Sequence, residues 1–193
     1  MLTALPCRSR RQRGDTMIEI LLTLLVLAFG LLGFVGLQAK VQAADVDAYA
    51  RAQAAALLSD MTDRINANRN NAASYVGNNI GTGDGQPADC SAAAAGAPRD
   101  TCEWSNALKG AAETKSSVNV GAMPGALGCI EQLQAPNPAP GVCTPGIYRV
   151  TVAWQGMVKT SGPALACGSG QFGADEFRRA VSARLAVGLP SCL

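Results

Sequence analysis

The chain has no histidine and no Cys-x-x-Cys pair among its 193 residues. Without an imidazole there is no Ser–His or Cys–His nucleophile, and the cysteines lack the spacing of a zinc or redox centre. Three carboxylates in the second half, Glu103, Glu113 and Glu131, have no spacing that indicates an acid–base pair. We therefore predict that the protein is not an enzyme and holds no metal and no cofactor.

Aromatic residues are scarce, at 5% of the chain, and basic residues form no stripe. With so few large side chains, the second half of the chain is expected to form a single domain with a modest core. The formal net charge is +2, and it becomes −2 once the four arginines near the N-terminus are set aside. This mildly acidic balance predicts no direct contact with nucleic acid.

Two short motifs suggest a bound ligand, but their context argues against both. Residues 168–173 match the glycine fingerprint of dinucleotide sites, yet too few residues follow to build the βαβ unit that such a site needs. Asp84 and Asp89 lie in a glycine-rich stretch that could offer oxygen ligands to calcium. A turn-rich loop and a solvated turn are the simpler interpretations of these two motifs.

The chain does contain one long apolar segment behind a basic leader. No side chain from Ile20 to Ala39 is charged, and a helix of that length spans roughly the 30 Å hydrocarbon core of a bilayer. Residues 1–14 contain no acidic residue and include four arginines: Arg8, Arg10, Arg11 and Arg13. By the positive-inside rule, the N-terminus stays in the cytoplasm and the chain after Lys40 lies outside.

Glu19 stands at the head of this uncharged segment. A carboxylate within a membrane helix costs about 2.5 to 3.5 kcal/mol on insertion scales, so some other interaction should offset that cost. In the simplest interpretation, Glu19 lies in the first helical turn at the membrane interface, where the helix dipole favours an acid.

The residues around Glu19 resemble a known family. Gly14, followed by Asp-Thr-Met-Ile-Glu-Ile, is similar to the class III signal of type IV prepilins and pseudopilins. The resemblance implies that prepilin peptidase cuts between Gly14 and Asp15, that the new amine of Asp15 is N-methylated, and that the apolar helix is retained. It also implies that Glu19 pairs with the N-terminal amine of a neighbouring subunit. The chain departs from the family at Asp15, where phenylalanine is usual.

The stretch 27–38 is similar to the corresponding part of PilV-type minor pilins, and it carries glycine at every third position: Gly30, Gly33 and Gly36. Small residues at this spacing let helices approach closely, although glycine is also simply tolerated in membrane spans. The resemblance implies a structural subunit in the priming or tip complex of a type IV pilus, held in the bacterial inner membrane before assembly. Its implied partners are prepilin peptidase and other minor and major pilins, and the resemblance also allows a tip adhesin.

Beyond Ala39 small and apolar residues keep a step of three or four: Val41, Ala44, Ala48, Ala52, Ala55, Leu58, Met61 and Ile65. This step predicts that the helix continues to about Arg69 and buries these residues. The opposite side carries charged residues and is predicted to face solvent: Asp45, Asp47, Arg51, Asp60, Asp63 and Arg64. The stretch 66–85 is rich in asparagine and glycine, which predicts the end of the helix and then a loop.

Two stretches in the second half alternate as antiparallel strands do. Residues 148–155 place Tyr148, Val150, Val152 and Trp154 on one face, and residues 178–187 are the natural partner strand. A weaker strand is predicted at 128–133 and a short helix at 102–109. We predict an α+β fold of the type IV pilin kind, with a long N-terminal α-helix packed on a small antiparallel sheet.

Cys7 would be lost with the leader, which leaves six cysteines: Cys90, Cys102, Cys129, Cys143, Cys167 and Cys192. An even number outside the cytoplasm predicts three disulfides, each worth roughly 2 to 4 kcal/mol. The pairing is open, because six cysteines allow many connectivities. The shortest loops favour Cys90 with Cys102, Cys129 with Cys143, and Cys167 with Cys192.

The predicted organisation has four parts: a leader at 1–14, a transmembrane and filament-core helix at 15–39, the amphipathic half of that helix at 40–71, and a periplasmic domain at 72–193. A type II secretion pseudopilin is an alternative function, since it would share the leader and Glu19. A signal-anchored periplasmic binding module or enzyme is another, and it would not begin at Asp15.

Overall fold

The computed structural model describes residues 15–111, 114–116, 118–119, 121, 123 and 125–189. The predicted leader, 1–14, lies outside this range. One helix, α1, runs from Asp15 to Ala67. The chain divides between Gln42 and Ala43 into two compact units. Every side chain from Met17 to Gln42 is exposed, and by length and composition this helix could cross a membrane.

The second unit packs helices on a four-stranded antiparallel sheet. Its helical elements after α1 are a 3-10 helix at Arg69–Tyr75, α2 at Ala97–Leu108 and a single 3-10 turn at Asp175–Phe177. The strands are β1 at Gly77–Gly81, β2 at Thr114–Lys115, β3 at Val118–Asn119, β4 at Leu127–Gln134, β5 at Gly146–Gln155 and β6 at Arg178–Val187. The sheet order is β1-β4-β5-β6, and β2 and β3 form a separate ribbon. The α+β class with a long helix on a small antiparallel sheet is confirmed.

The two strongest predicted strands, β5 and β6, pair along their whole length, from Gly146 opposite Val187 to Gln155 opposite Arg178. β4 pairs with the other edge of β5 and is longer than predicted. The loop prediction for residues 77–81 was wrong, because β1 forms there beside β4. Glycine and asparagine hide this strand from a propensity argument, and its pairing register shifts within the five residues.

The buried stripe of α1 was only half predicted. Leu58, Met61 and Ile65 pack in the core, as expected. Nearer the start of the unit, the buried side chains are Ala50 and Ala54, whereas four predicted alanines and one valine are exposed: Val41, Ala44, Ala48, Ala52 and Ala55. Alanine occurs on both sides of this stretch, so periodicity could not identify the buried face.

The charged side of α1 is not uniformly solvated either. Arg64 donates to Asp60 on its own helix, at 3.0 Å, and to two α2 residues: Asp100 at 3.2 Å and Glu103 at 2.6 Å. Asp100 also accepts a hydrogen bond from the Tyr75 hydroxyl, and burial together with this bond raises the pKa of Tyr75 to about 12. The network joins the end of α1 to α2.

α2 begins at Ala97, five residues before the predicted start, because Pro98 is accommodated in the first helical turn. Its Trp104 is fully buried and donates its indole N–H to the Leu57 carbonyl at 2.9 Å. The ring lies against the backbone of β4, where a Cβ at Gly128 would come within 2.2 Å of it. Only glycine leaves room for this packing.

The outer face of the sheet is covered as well. A second cluster of buried side chains joins β4 and β5 to the loop that precedes β6: Leu127, Cys129, Ala153, Cys167 and Phe172. Residues 168–173 form part of this loop, which agrees with the turn interpretation of the glycine motif. Gly168 has φ +67°, and a Cβ there would lie 2.6 Å from the Phe172 ring.

Arg178 holds this covering loop in place. Its side chain is buried, at only 4% exposed. Its guanidinium donates to the carbonyls of Pro163 at 2.9 Å and Cys167 at 3.0 Å, and also to that of Leu165. It pairs with both carboxylate oxygens of Asp175, at 2.6 and 3.0 Å, and this bond lowers the pKa of Asp175.

Asp84 has a similar role at the loop between β1 and α2. Its carboxylate, 11% exposed, pairs with Lys109 at 2.5 Å. It also accepts from the Ser105 hydroxyl at 2.6 Å and from the backbone N–H groups of Gly81 at 2.8 Å and Gln86 at 3.0 Å. Burial alone would raise the pKa of Asp84, but these four donors lower it to about 2. The turn is therefore anchored, rather than solvated, at this residue.

We expect Asp84→Asn to destabilise the protein by about 2 kcal/mol at neutral pH, at about 1.4 kcal/mol per unit of pKa shift. Because the pKa of Asp84 is lower in the native protein than the unfolded value of 3.8, its carboxylate stabilises the native state above pH 3.8. This contribution is lost as the pH falls towards 2. The wild type should therefore lose more stability than the variant between about pH 5 and pH 2. Urea unfolding of the full chain in detergent micelles measures this difference.

Asp63→Asn is the matched control, because Asp63 is exposed on α1 and makes no hydrogen bond or ion pair within the described residues. It removes the same charge, but the stability it loses between about pH 5 and pH 2 should equal that lost by the wild type. Identical acid profiles for Asp84→Asn and the wild type would show that the four donors do not stabilise the carboxylate.

Candidate functional site

The candidate site is the apolar part of α1 with Glu19 at its head. Asp15 is the first residue of the helix, and Glu19 lies one turn later, exposed and without a hydrogen bond or ion pair to any described residue. Gly14, the predicted cleavage position, lies outside the described residues. Within this chain, therefore, no described residue neutralises the Glu19 carboxylate.

Large apolar side chains are exposed throughout the same stretch, from Met17 to Leu37. So long an unbroken apolar surface is unfavourable in water and is typical of a segment that contacts lipid or other proteins. A Cβ atom added to Gly30, Gly33 or Gly36 would have no packing neighbour within 4 Å. Their lack of side chains serves no packing within the described part of the chain.

The disulfides correct part of the predicted pairing. Cys90 and Cys102 are joined, as expected, with S–S 2.00 Å. Cys129 is joined to Cys167, so the predicted pairs Cys129–Cys143 and Cys167–Cys192 were wrong. The covering loop brings Cys167 back over the outer face of the sheet, next to Cys129, although 38 residues separate them. Cys143 is also disulfide-bonded, and Cys192 lies outside the described residues.

The other candidate residues are dispersed. Glu103 pairs with Arg64, and Glu131 pairs with Arg149 at 3.4 Å on the sheet. Glu113 lies outside the described residues. Asp84 accepts from its four donors, and exposed Asp89 accepts, among the described residues, from Ser91 alone. Among the residues that the structure describes, no group of three or more Cys, Asp or Glu could hold a metal ion.

A cavity of about 270 Å³ in the second unit lies between the helix Arg69–Tyr75 and the ends of β5 and β6. Its described lining includes Arg69, Pro136, Tyr148 and Val187. Among the described residues that line it, the Arg69 guanidinium and the Tyr148 phenol are the ionisable groups, and none is a carboxylate or a cysteine.

No family model matches the chain, and no curated protein or solved structure matches it either.

Two important side chains were missed from the sequence alone. The burial of Arg178 was not predicted, because nothing in the alternating pattern distinguishes a buried arginine from an exposed one. Trp154 was correctly placed in the core, but its indole nitrogen has no hydrogen-bond partner there. Only the packed structure reveals either property.

Proposed function

We propose that the protein is a minor type IV pilin, a structural subunit without catalytic activity that is assembled into a filament from the inner membrane. The observation that carries the proposal is the long, exposed, uncharged helix surface that begins one residue after Glu19. Such a surface needs lipid before assembly and other helices after it. The Gly14-Asp15 sequence in front of it supplies the expected peptidase site.

The carboxylate supports an assembly role in particular. An unpaired charge in an apolar environment is costly, and pairing with a hydrogen-bonded opposite charge offsets that cost. Glu19 has no such partner among the described residues, whereas processing at Gly14 would give each neighbouring subunit a free N-terminal amine. The α+β domain with its disulfides is suited to the oxidising periplasm.

Sheared surface filaments from a strain that produces the full chain provide the test. We expect the protein in the sheared fraction when prepilin peptidase is present and in the inner membrane alone when the peptidase gene is deleted. Deletion of the protein's own gene should reduce surface filaments. If deletion instead abolishes secretion of folded exoproteins and leaves the filaments intact, the protein is a type II secretion pseudopilin. A membrane-bound protein unaffected by the peptidase would be a signal-anchored module.

A further inference from the structure

A notch on the surface of the second unit combines unused hydrogen-bond donors with positive charge. It has a volume of about 250 Å³ and is lined by residues of three elements: Asp47, Ala48 and Arg51 of α1, Trp154 of β5 and Arg179 of β6. These residues are far apart in sequence. They meet because residues 47–51 of α1 lie next to the end of β5 and the start of β6.

The indole N–H of Trp154 is the unusual group. The side chain is 1% exposed, and its Nε1 has no hydrogen-bond partner in the described structure. Leaving a buried donor unpaired costs about 1 to 3 kcal/mol, and buried tryptophans ordinarily find an acceptor. Trp104 shows the ordinary case, with its N–H bonded to the Leu57 carbonyl. A ligand that brings an acceptor to Trp154 would recover this cost.

The two arginines of the notch differ in their contacts. Arg179 is 11% exposed, pairs with Asp47 at 3.5 Å and donates to the carbonyls of Glu176 and Val158. Arg51 is exposed and makes no hydrogen bond or ion pair with any described residue. With Asp47 counted, the notch carries a net charge of +1, and the guanidinium of Arg51 is free to bind an anion.

The size of the notch restricts its occupant. Pockets for small-molecule ligands measure about 300 to 1,000 Å³, and this notch, at about 250 Å³, is smaller but holds an aspartate or glutamate side chain. An acceptor that suits an arginine and an indole N–H in so small a space is a carboxylate. In sequence, Asp47 follows Ala39 by eight residues, so a neighbouring subunit with the same pattern carries its own polar residues directly after its apolar segment.

We propose that the notch binds the carboxylate of an aspartate or glutamate on the helix of a neighbouring pilin subunit. The identity of this partner rests on the proposed function. The carboxylate accepts from Arg51 and from the Trp154 indole, and Arg179 adds to the positive potential. The contact would fix the register of the two subunits after Glu19 has met its own partner.

The binding site is tested on the isolated full chain in detergent micelles, labelled with ¹⁵N-tryptophan. The two tryptophans give two indole resonances, which Trp154→Phe assigns. Titration with sodium acetate, against sodium chloride at equal ionic strength, should shift the Trp154 resonance saturably and leave that of Trp104 in place. Arg51→Glu should abolish the shift, whereas the control Arg184→Glu, which reverses an exposed arginine on β6, should retain it. No shift, or an equal shift in Arg51→Glu, would overturn the proposed site.

The partner is tested in cells by the sheared filament fraction. Arg51→Glu should reduce incorporation about tenfold relative to Arg184→Glu, which corresponds to ~1.4 kcal/mol. Incorporation of Arg51→Glu at the level of the control would overturn the proposed contact. If the wild-type protein is itself absent from filaments, the proposed function and the pilin partner both fail, while the acetate titration still decides whether the notch binds a carboxylate.

Discussion

Replacing Glu19 by alanine is expected to leave peptidase processing intact and to reduce the amount of protein in sheared filaments at least tenfold. Alanine removes the carboxylate that should neutralise a neighbour's N-terminal amine, and leaving one buried charge unpaired costs several kcal/mol. A loss of about 1.4 kcal/mol already corresponds to a tenfold change in an equilibrium. Immunoblots of the sheared and membrane fractions measure the effect.

Asp45→Ala is the matched control for this experiment. Asp45 is an exposed carboxylate on the same helix and has no hydrogen bond or ion pair with a described residue. It should be incorporated like the wild type. Normal incorporation of Glu19→Ala would show that Glu19 has only a local role at the helix start, which is the simpler interpretation of its position.

The second large effect is expected at Arg178. Arg178→Ala should destabilise the protein by about 3 kcal/mol, because it removes a buried guanidinium and leaves three loop carbonyls without their donor, at about 1 kcal/mol for each. The loop that carries Phe172 then loses its hydrogen bonds to the Arg178 side chain of β6, while the Cys129–Cys167 disulfide still ties it to β4. Thermal and urea unfolding of the full chain in micelles provide the measurement.

Two further variants separate the geometry of Arg178 from its charge. Arg178→Lys keeps the charge but cannot reproduce the planar fork of donors, so we expect it to be intermediate in stability. Arg184→Ala removes an exposed arginine from the same strand and should change stability by less than about 0.5 kcal/mol. Equal stabilities for Arg178→Ala and Arg184→Ala would contradict the anchoring role.

The parts of the fold that sequence predicted well are those where side-chain chemistry and periodicity agree. In β5, Tyr148, Val150, Val152 and Trp154 are all buried on one face, because large aromatic and branched side chains alternate with smaller or polar ones. The apolar part of α1 was equally clear. These segments contain residues whose burial is strongly favoured, so local pattern and tertiary packing select the same structure.

The parts that sequence could not predict depend on tertiary packing. Alanines near Ala48 carry too little apolar surface to mark a buried face, and β1 consists mostly of glycine and asparagine. The Cys129–Cys167 bond required knowledge that the loop before β6 folds back over the sheet. Sequence separation favoured Cys143, which is nearer along the chain. The notch beside Trp154 depends on three elements meeting, so no local pattern could indicate it.

The central claim is that the apolar helix is freed from its leader and retained. Intact mass and N-terminal sequencing of the native protein, purified from membranes, test this directly. The account predicts a chain that begins at N-methylated Asp15 and still contains the segment from Ile20 to Ala39. A native chain that begins at Met1, or one that lacks the apolar segment, would contradict it.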